Sequence, residues 1–176
     1  MNITNLSSIQ ERIKNITFAA SVPKNIEQLQ GKIQWNKIYF TYRRKKKQFI
    51  NLWQCFEYLE NINVGRILIT GSNGSGKTTI LGLIKEYFGD NVYLFSNYAH
   101  IFFEKNELQE YSTGEKIKSN IQELLEHIDE TSVHMILFDE WNANLDTKNQ
   151  IEISKYIDKL AEKNLVLEVR NKEILK

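Results

Sequence analysis

The segment RILITGSNGSGKTT, residues 66–79, joins a short apolar run to a glycine-rich turn and then to a helical pattern. Arg66–Thr70 reads as a buried-type strand, and Gly71-x-x-x-x-Gly76-Lys77-Thr78 follows it without a gap. Glycines at these positions let backbone N–H groups turn inward on phosphate oxygens, aided by the positive end of the helix that begins there. Gly71, Ser72, Asn73, Gly74, Ser75, Gly76, Lys77, Thr78 and Thr79 therefore form the candidate nucleotide-binding set. In such a loop the lysine brings a point charge to the β and γ phosphates and the hydroxyl ligates Mg²⁺, here Lys77 and Thr78. The competing reading is a glycine-rich turn without a ligand; the position between strand and helix favours the phosphate loop. Ile80, Leu81, Ile84, Tyr87 and Phe88 continue at helical spacing until Gly89-Asp90 stops the helix.

Working outward, Val92–Phe95, Met135–Phe138 and Leu165–Val169 read as further buried strands. Two amphipathic helices lie between them, one with Ile117, Ile121, Leu124, Leu125 and Ile128, the other with Ile151, Ile153, Tyr156, Ile157 and Leu160. Strands alternating with helices predict an α/β fold with a mostly parallel sheet flanked by helices. In MILFDE, residues 135–140, two carboxylates emerge at the C-terminal end of a buried strand, where open α/β sheets place their ligands. Asp139 is the candidate to hold Mg²⁺ through water, and Glu140 to orient or deprotonate an attacking water. Together with the phosphate loop, this acidic pair points to a nucleoside triphosphate held with Mg²⁺.

Upstream, Ile3, Leu6, Ile9, Ile13 and Ile16 recur on one helical face before Pro23, which predicts an arm or linker over residues 1–30. Ile33, Trp35, Ile38, Phe40 and Tyr42 suggest a small N-terminal strand region with one slip near Asn36 and Lys37. The basic run Arg43–Lys47 reads as a solvated loop rather than a nucleic-acid patch. Across 176 residues, 23 Lys and Arg nearly cancel 22 Asp and Glu, so net charge gives no support to a general nucleic-acid binder. Hydrophobic residues at 41% supply a real core. Cys55 is the single cysteine, which excludes an intrachain disulfide and makes it a candidate core residue. No apolar run approaches the roughly 20 residues of a membrane-spanning helix, and Met1–Gln10 lacks the apolar core of a secretion signal. These features predict a soluble, intracellular, single-domain protein. His100, His127 and His134 form no metal-ligand spacing with one another or with Cys55.

From Gly31 to Arg170 the chain resembles the ATP-binding-cassette (ABC) ATPases, most closely the cassettes of peptide and lipid exporters. GKIQWNKIYFTY, residues 31–42, looks like their entry strands, and Tyr42 matches the aromatic that stacks on adenine. Tyr42 also reads as a core or strand-surface aromatic. Tyr111-Ser112-Thr113-Gly114-Glu115 stands where the family writes LSGGQ, which marks Ser112 and Gly114 as nucleotide contacts. The same Ser112-x-x-Glu115 is an ordinary capping box, and the two readings are compatible. DEWNANLD, residues 139–146, covers the catalytic glutamate and the following loop. Trp141 is similar to cyclic-peptide exporters, which carry DEW where most members have DEP. The family's Gln that senses the γ-phosphate and Mg²⁺ is matched by Asn97, and its switch histidine by Arg170 or Asn171.

The resemblance implies a phosphate-loop NTPase of ABC type over residues 31–176, hydrolysing ATP with Glu140, Lys77, Asn97 and Arg170 as the catalytic set. It implies a head-to-tail homodimer or heterodimer closed by ATP, docked on a separate transmembrane partner, cytoplasmic and peripheral on the inner face of a membrane. There are departures. A helical subdomain of several dozen residues usually separates the phosphate loop from the LSGGQ-type motif, whereas 33 residues lie between Thr78 and Ser112 here. In the family that subdomain grips the transporter's membrane part. Asn97 shortens the reach of the usual Gln by a methylene, and an Arg cannot act as a neutral acceptor. Two alternatives stay open: an ABC-like ATPase of DNA maintenance, and a degenerate ATP-binding module with little turnover.

Overall fold

The computed structural model describes residue 29 and residues 31–96, 113–130, 132–143 and 145–170. The arm expected over residues 1–30 lies outside these, apart from Leu29, as do Asn97, Ser112 and Asn171. Among the described residues, six strands and four helices follow one another as β1 (Ile38–Tyr42), β2 (Lys45–Lys47), α1 (Leu52–Glu60), β3 (Gly65–Gly71), α2 (Lys77–Phe88), β4 (Val92–Ser96), α3 (Thr113–His127), β5 (Met135–Asp139), α4 (Thr147–Ala161) and β6 (Leu165–Val169). The strands form one mixed sheet in the order β2-β1-β3-β6-β5-β4. β3, β6, β5 and β4 are parallel, while β1 runs antiparallel to both β2 and β3. The chain thus leaves β3 for the far edge strand β4 and returns through β5 to β6, beside its starting point.

That path puts helices on both faces. Ile80, Leu81, Leu83 and Ile84 of α2 share one apolar core with Leu52, Cys55, Phe56 and Leu59 of α1 and with Ile67 and Ile69 of β3. Ile117, Ile121 and Leu124 of α3 and Ile153, Ile157 and Leu160 of α4 close the opposite face over Ile136, Phe138 and Val166. Successive residues of a strand point to opposite faces, so β5 and β6, covered on both sides, are buried throughout. This is why both read as near-continuous apolar runs, broken by Glu168 in β6 and closed by Asp139 in β5. Cys55 is a core residue, and burial pushes its thiol up to about 12.

Local signals fix the helix ends. Asn51 caps α1 by accepting from the Gln54 amide at 3.0 Å, and Asp146 caps α4 by accepting from the Asn149 amide at 2.8 Å. At the end of α2, Gly89 takes φ +63°, and the Lys85 ammonium donates to the Gly89 and Val92 carbonyls at 2.7 and 2.5 Å.

Two expectations about the N-terminal strands are corrected. The alternation through Ile33 and Trp35 is not strand: Trp35–Lys37 is a 3₁₀ turn, and pairing begins only at Ile38. The basic run is not only loop: Arg43 and Arg44, at φ +48° and +65°, turn a two-residue hairpin into the edge strand β2. Three exposed lysines make that edge poor for further pairing.

Candidate functional site

The parallel strands deliver their C-terminal ends to one edge. Ile69 of β3, Val169 of β6 and Asp139 of β5 are level in the register. β6 lies between the other two, so β3 and β5 stand about 9–10 Å apart. Gly71 ends β3, the loop Ser72–Gly76 follows, and Lys77 opens α2. The first-turn amides of a helix have no partner within it. Those of α2 begin at this loop, with Gly76 as N-cap at φ +95°.

The loop is propped from below by residues 32–34. The Gln34 amide donates to the Ser75 carbonyl at 2.9 Å, and a Cβ at Gly76 would meet the Ile33 Cα and the Lys32 carbonyl at 3.1 Å. At Gly71 a Cβ would lie 2.5 Å from the Lys37 carbonyl, so the close approach of β1 to the loop requires glycine there. Ile33 and Gln34 are thus supports of the site that sequence reading assigned to a strand.

Lys77 is buried, and its ammonium donates to the Gly71 and Ser72 carbonyls at 3.0 and 3.1 Å. The cation therefore lies inside the curve of the loop. Ser75 is 1% exposed, and its hydroxyl has no hydrogen-bond partner among the described residues. A buried unpaired hydroxyl is costly unless a ligand or water completes it. Thr78, exposed at the start of α2, donates its hydroxyl to Asp139 Oδ1 at 3.2 Å. That bond spans the gap left by β6 and joins the two sequence motifs in one site. Burial pushes the Asp139 carboxyl above its ordinary range; Glu140 adds to this, and the Thr78 hydrogen bond and Lys77 oppose it.

These residues fit a magnesium nucleotide. The hydroxyl of Thr78 and the carboxylate of Asp139 are hard oxygen donors of the kind Mg²⁺ accepts, leaving its remaining positions to phosphate and water. The orphaned Ser75 hydroxyl and the inward Lys77 ammonium are donors of the kind a phosphate would accept from.

Glu140 follows Asp139 with φ +48°, a left-handed conformation rare outside glycine. Its amide donates to the Val169 carbonyl at 3.2 Å, and its carbonyl accepts from the Ala143 amide at 2.9 Å. Arg170 leaves β6 beside it, with its amide donating to the Ile69 carbonyl at 3.4 Å. Its guanidinium pairs with Glu168 at 3.1 Å and lies over the Trp141 ring, 5.4 Å from the centroid. Lys77, Thr78, Asp139, Glu140 and Arg170 are thus brought to one sheet edge.

Tyr42 and Gly114 have close neighbours within the chain. Tyr42 pairs in register with Ile67, four residues before Gly71, and its hydroxyl donates to the Val64 carbonyl at 3.0 Å. Its ring packs on Gly65 at the opposite end of β3, about 20 Å of strand from Gly71. The antiparallel course of β1 carries Tyr42 toward the opposite end of β3 from the loop. Gly114 is buried in the first turn of α3, where a Cβ would lie 2.9 Å from the Asn149 side-chain nitrogen of α4. Glycine here permits close contact of two helices within the chain.

No protein-family model matches this sequence, and no curated protein matches it. Among the described residues, no helix is long and apolar enough to cross a membrane.

Proposed function

We propose that the chain binds ATP with Mg²⁺ at the Gly71–Thr79 loop and hydrolyses it, as a compact phosphate-loop ATPase of ABC type. The observation that carries this reading is the 3.2 Å bond between Thr78 and Asp139, which brings the loop and the acidic strand end together across β6. A phosphate oxygen arriving in the loop exchanges the two neutral carbonyl acceptors of Lys77 for an anionic one, a stronger charge-assisted bond. The Ser75 hydroxyl gains its missing acceptor at the same time.

Thr78 and Asp139 would hold magnesium, which would supply neutralisation of the phosphate charge. Glu140 orients water for attack on the γ-phosphorus and takes its proton, while the bond to the bridging oxygen breaks and ADP leaves. Lys77 and the N-terminal end of α2 stabilise the charge that develops. The cassette reading adds an ATP-closed head-to-tail dimer, with Ser112 and Gly114 of one subunit over the loop of the other, and a separate membrane partner. It is supported by the order of the sequence motifs.

A second reading, an ATP-binding module with little turnover, is favoured by one observation: Arg170 is engaged with Glu168 and Trp141. Phosphate release and light-scattering mass, each with and without Mg-ATP, separate the two. In the ATPase reading the parent turns over, and Glu140→Gln binds ATP, stops turning over and accumulates as a dimer. Nucleotide binding by the parent without phosphate release supports the second reading. Identical mass for both proteins with and without ATP rejects the dimer.

A further inference from the structure

Glu168 is the one charged residue of the apolar strand β6, and it is 2% exposed. Three N–H groups donate to its two oxygens, and a fourth nitrogen pairs with it by charge. Arg66 Nε donates to Oε1 and Arg66 Nη2 to Oε2, both at 2.8 Å. The Trp141 indole donates to Oε2 at 2.9 Å, and Arg170 Nη2 lies 3.1 Å from Oε1. An ionised carboxylate has about four acceptor positions, and hydrogen bonds fill three of them here. Arg66 alone, in a bidentate fork, already matches the buried charge. The other two contacts therefore do something besides neutralisation, and both belong to residues of the candidate site.

Trp141 directly follows Glu140 and is completely buried. Its edge is held by Glu168 and its face by the guanidinium of Arg170. A non-glycine residue at positive φ persists only where its surroundings over-determine it. Here the Glu140 amide is tied to Val169, and its successor is clamped on two sides. Arg170 is held by the same carboxylate, and its Nε, buried, has no hydrogen-bond partner among the described residues.

We propose that Glu168 is a positioning residue for ATP hydrolysis: through the Trp141 indole it holds Glu140 in its left-handed conformation, and through its ion pair it holds Arg170 at the loop end of β6. This rests on the nucleotide reading of the loop. Arg66 anchors the arrangement from β3, with Ser154 and Asp158 of α4 accepting from Nη1 at 3.0 and 2.6 Å. β3, β6 and the segment after β5 thus meet at one carboxylate, and α4 reaches it through Arg66.

The test measures Mg-ATP affinity, steady-state kcat and thermal unfolding for the parent, Trp141→Phe, Glu168→Gln, the double variant and Asp158→Asn. Trp141→Phe removes one N–H and keeps an aromatic ring, so it carries the test if Glu168→Gln does not fold. Expected are a kcat at least tenfold lower for Trp141→Phe with affinity within twofold of the parent, and a double variant no slower than the slower single one. Asp158→Asn, which touches only the outer side of Arg66, is expected to keep parental kcat. Parental kcat in Trp141→Phe overturns the proposal, as does a loss of affinity parallel to the loss of kcat. A parent that binds Mg-ATP without turnover overturns it too. A parent that binds no nucleotide overturns the loop reading itself, a distinct result.

Discussion

Replacing Asp139 by Asn is expected to stabilise the ligand-free protein while removing its response to Mg-ATP. The carboxylate is 5% exposed and lies beside Glu140, and burial is the largest influence raising its pKa. An acid whose folded pKa lies above its unfolded value binds more protons when native. Stability then falls as pH rises from the ordinary value of 3.8 through the folded one, and the deficit is complete at neutral pH. Asn keeps the volume and an oxygen to accept from Thr78, and removes the charge. Relief of a destabilised site residue is commonly worth about 0.5–2 kcal/mol, a rise in Tm of about 1–8 °C for a chain of this size. At pH below 3.8 the gain vanishes, because the parent carboxyl is then protonated in both states.

The liganded protein behaves in the opposite way. A ligand at 100 times its Kd stabilises by about 2.7 kcal/mol, so saturating Mg-ATP raises the parent's Tm by about 5–11 °C. Asp139→Asn loses the magnesium-dependent part of that rise. Differential scanning fluorimetry from pH 4 to pH 8, with ATP in the presence of magnesium or of a chelator, reads both effects. A variant no more stable than the parent at neutral pH refutes the burial argument. One that keeps the full magnesium-dependent rise refutes the role of Asp139.

Other substitutions probe the supports. Tyr42→Phe is expected to cost about 0.5–1.5 kcal/mol in urea unfolding, through loss of the bond to Val64; an unchanged midpoint contradicts that bond. Gly71→Ala is expected to destabilise by about 1–3 kcal/mol, because its Cβ would lie 2.5 Å from a backbone carbonyl that is not free to swing away. An unchanged denaturation midpoint contradicts the close approach of β1.

What the sequence reveals follows the range of the forces involved. The strand–loop–helix unit at 65–88, the buried strands β4, β5 and β6, and the helices α3 and α4 are legible because each is encoded by local periodicity and by glycine or acidic residues at the ends. Ile33 and Trp35 mislead, because two apolar residues two apart fit a tight turn packed under Gly76 as well as a strand. The edge strand Lys45–Lys47 hides because its lysines give no apolar pattern; pairing with β1, not burial, makes it a strand. Tyr42 is correctly placed in a strand, yet the direction of that strand relative to the loop is a property of the pairing. Glu168 within LVLEV signals an unusual charge, but its partner Arg66 lies 102 residues away. Only the fold brings them together.

Calorimetric titration of Mg-ATP into the parent and into Lys77→Ala tests the central claim most directly. Lys77 is the buried cation inside the loop. The account predicts saturable binding at one site per chain for the parent and no detectable binding for the variant. A parent that takes up no nucleotide, or a variant with undiminished affinity, contradicts it.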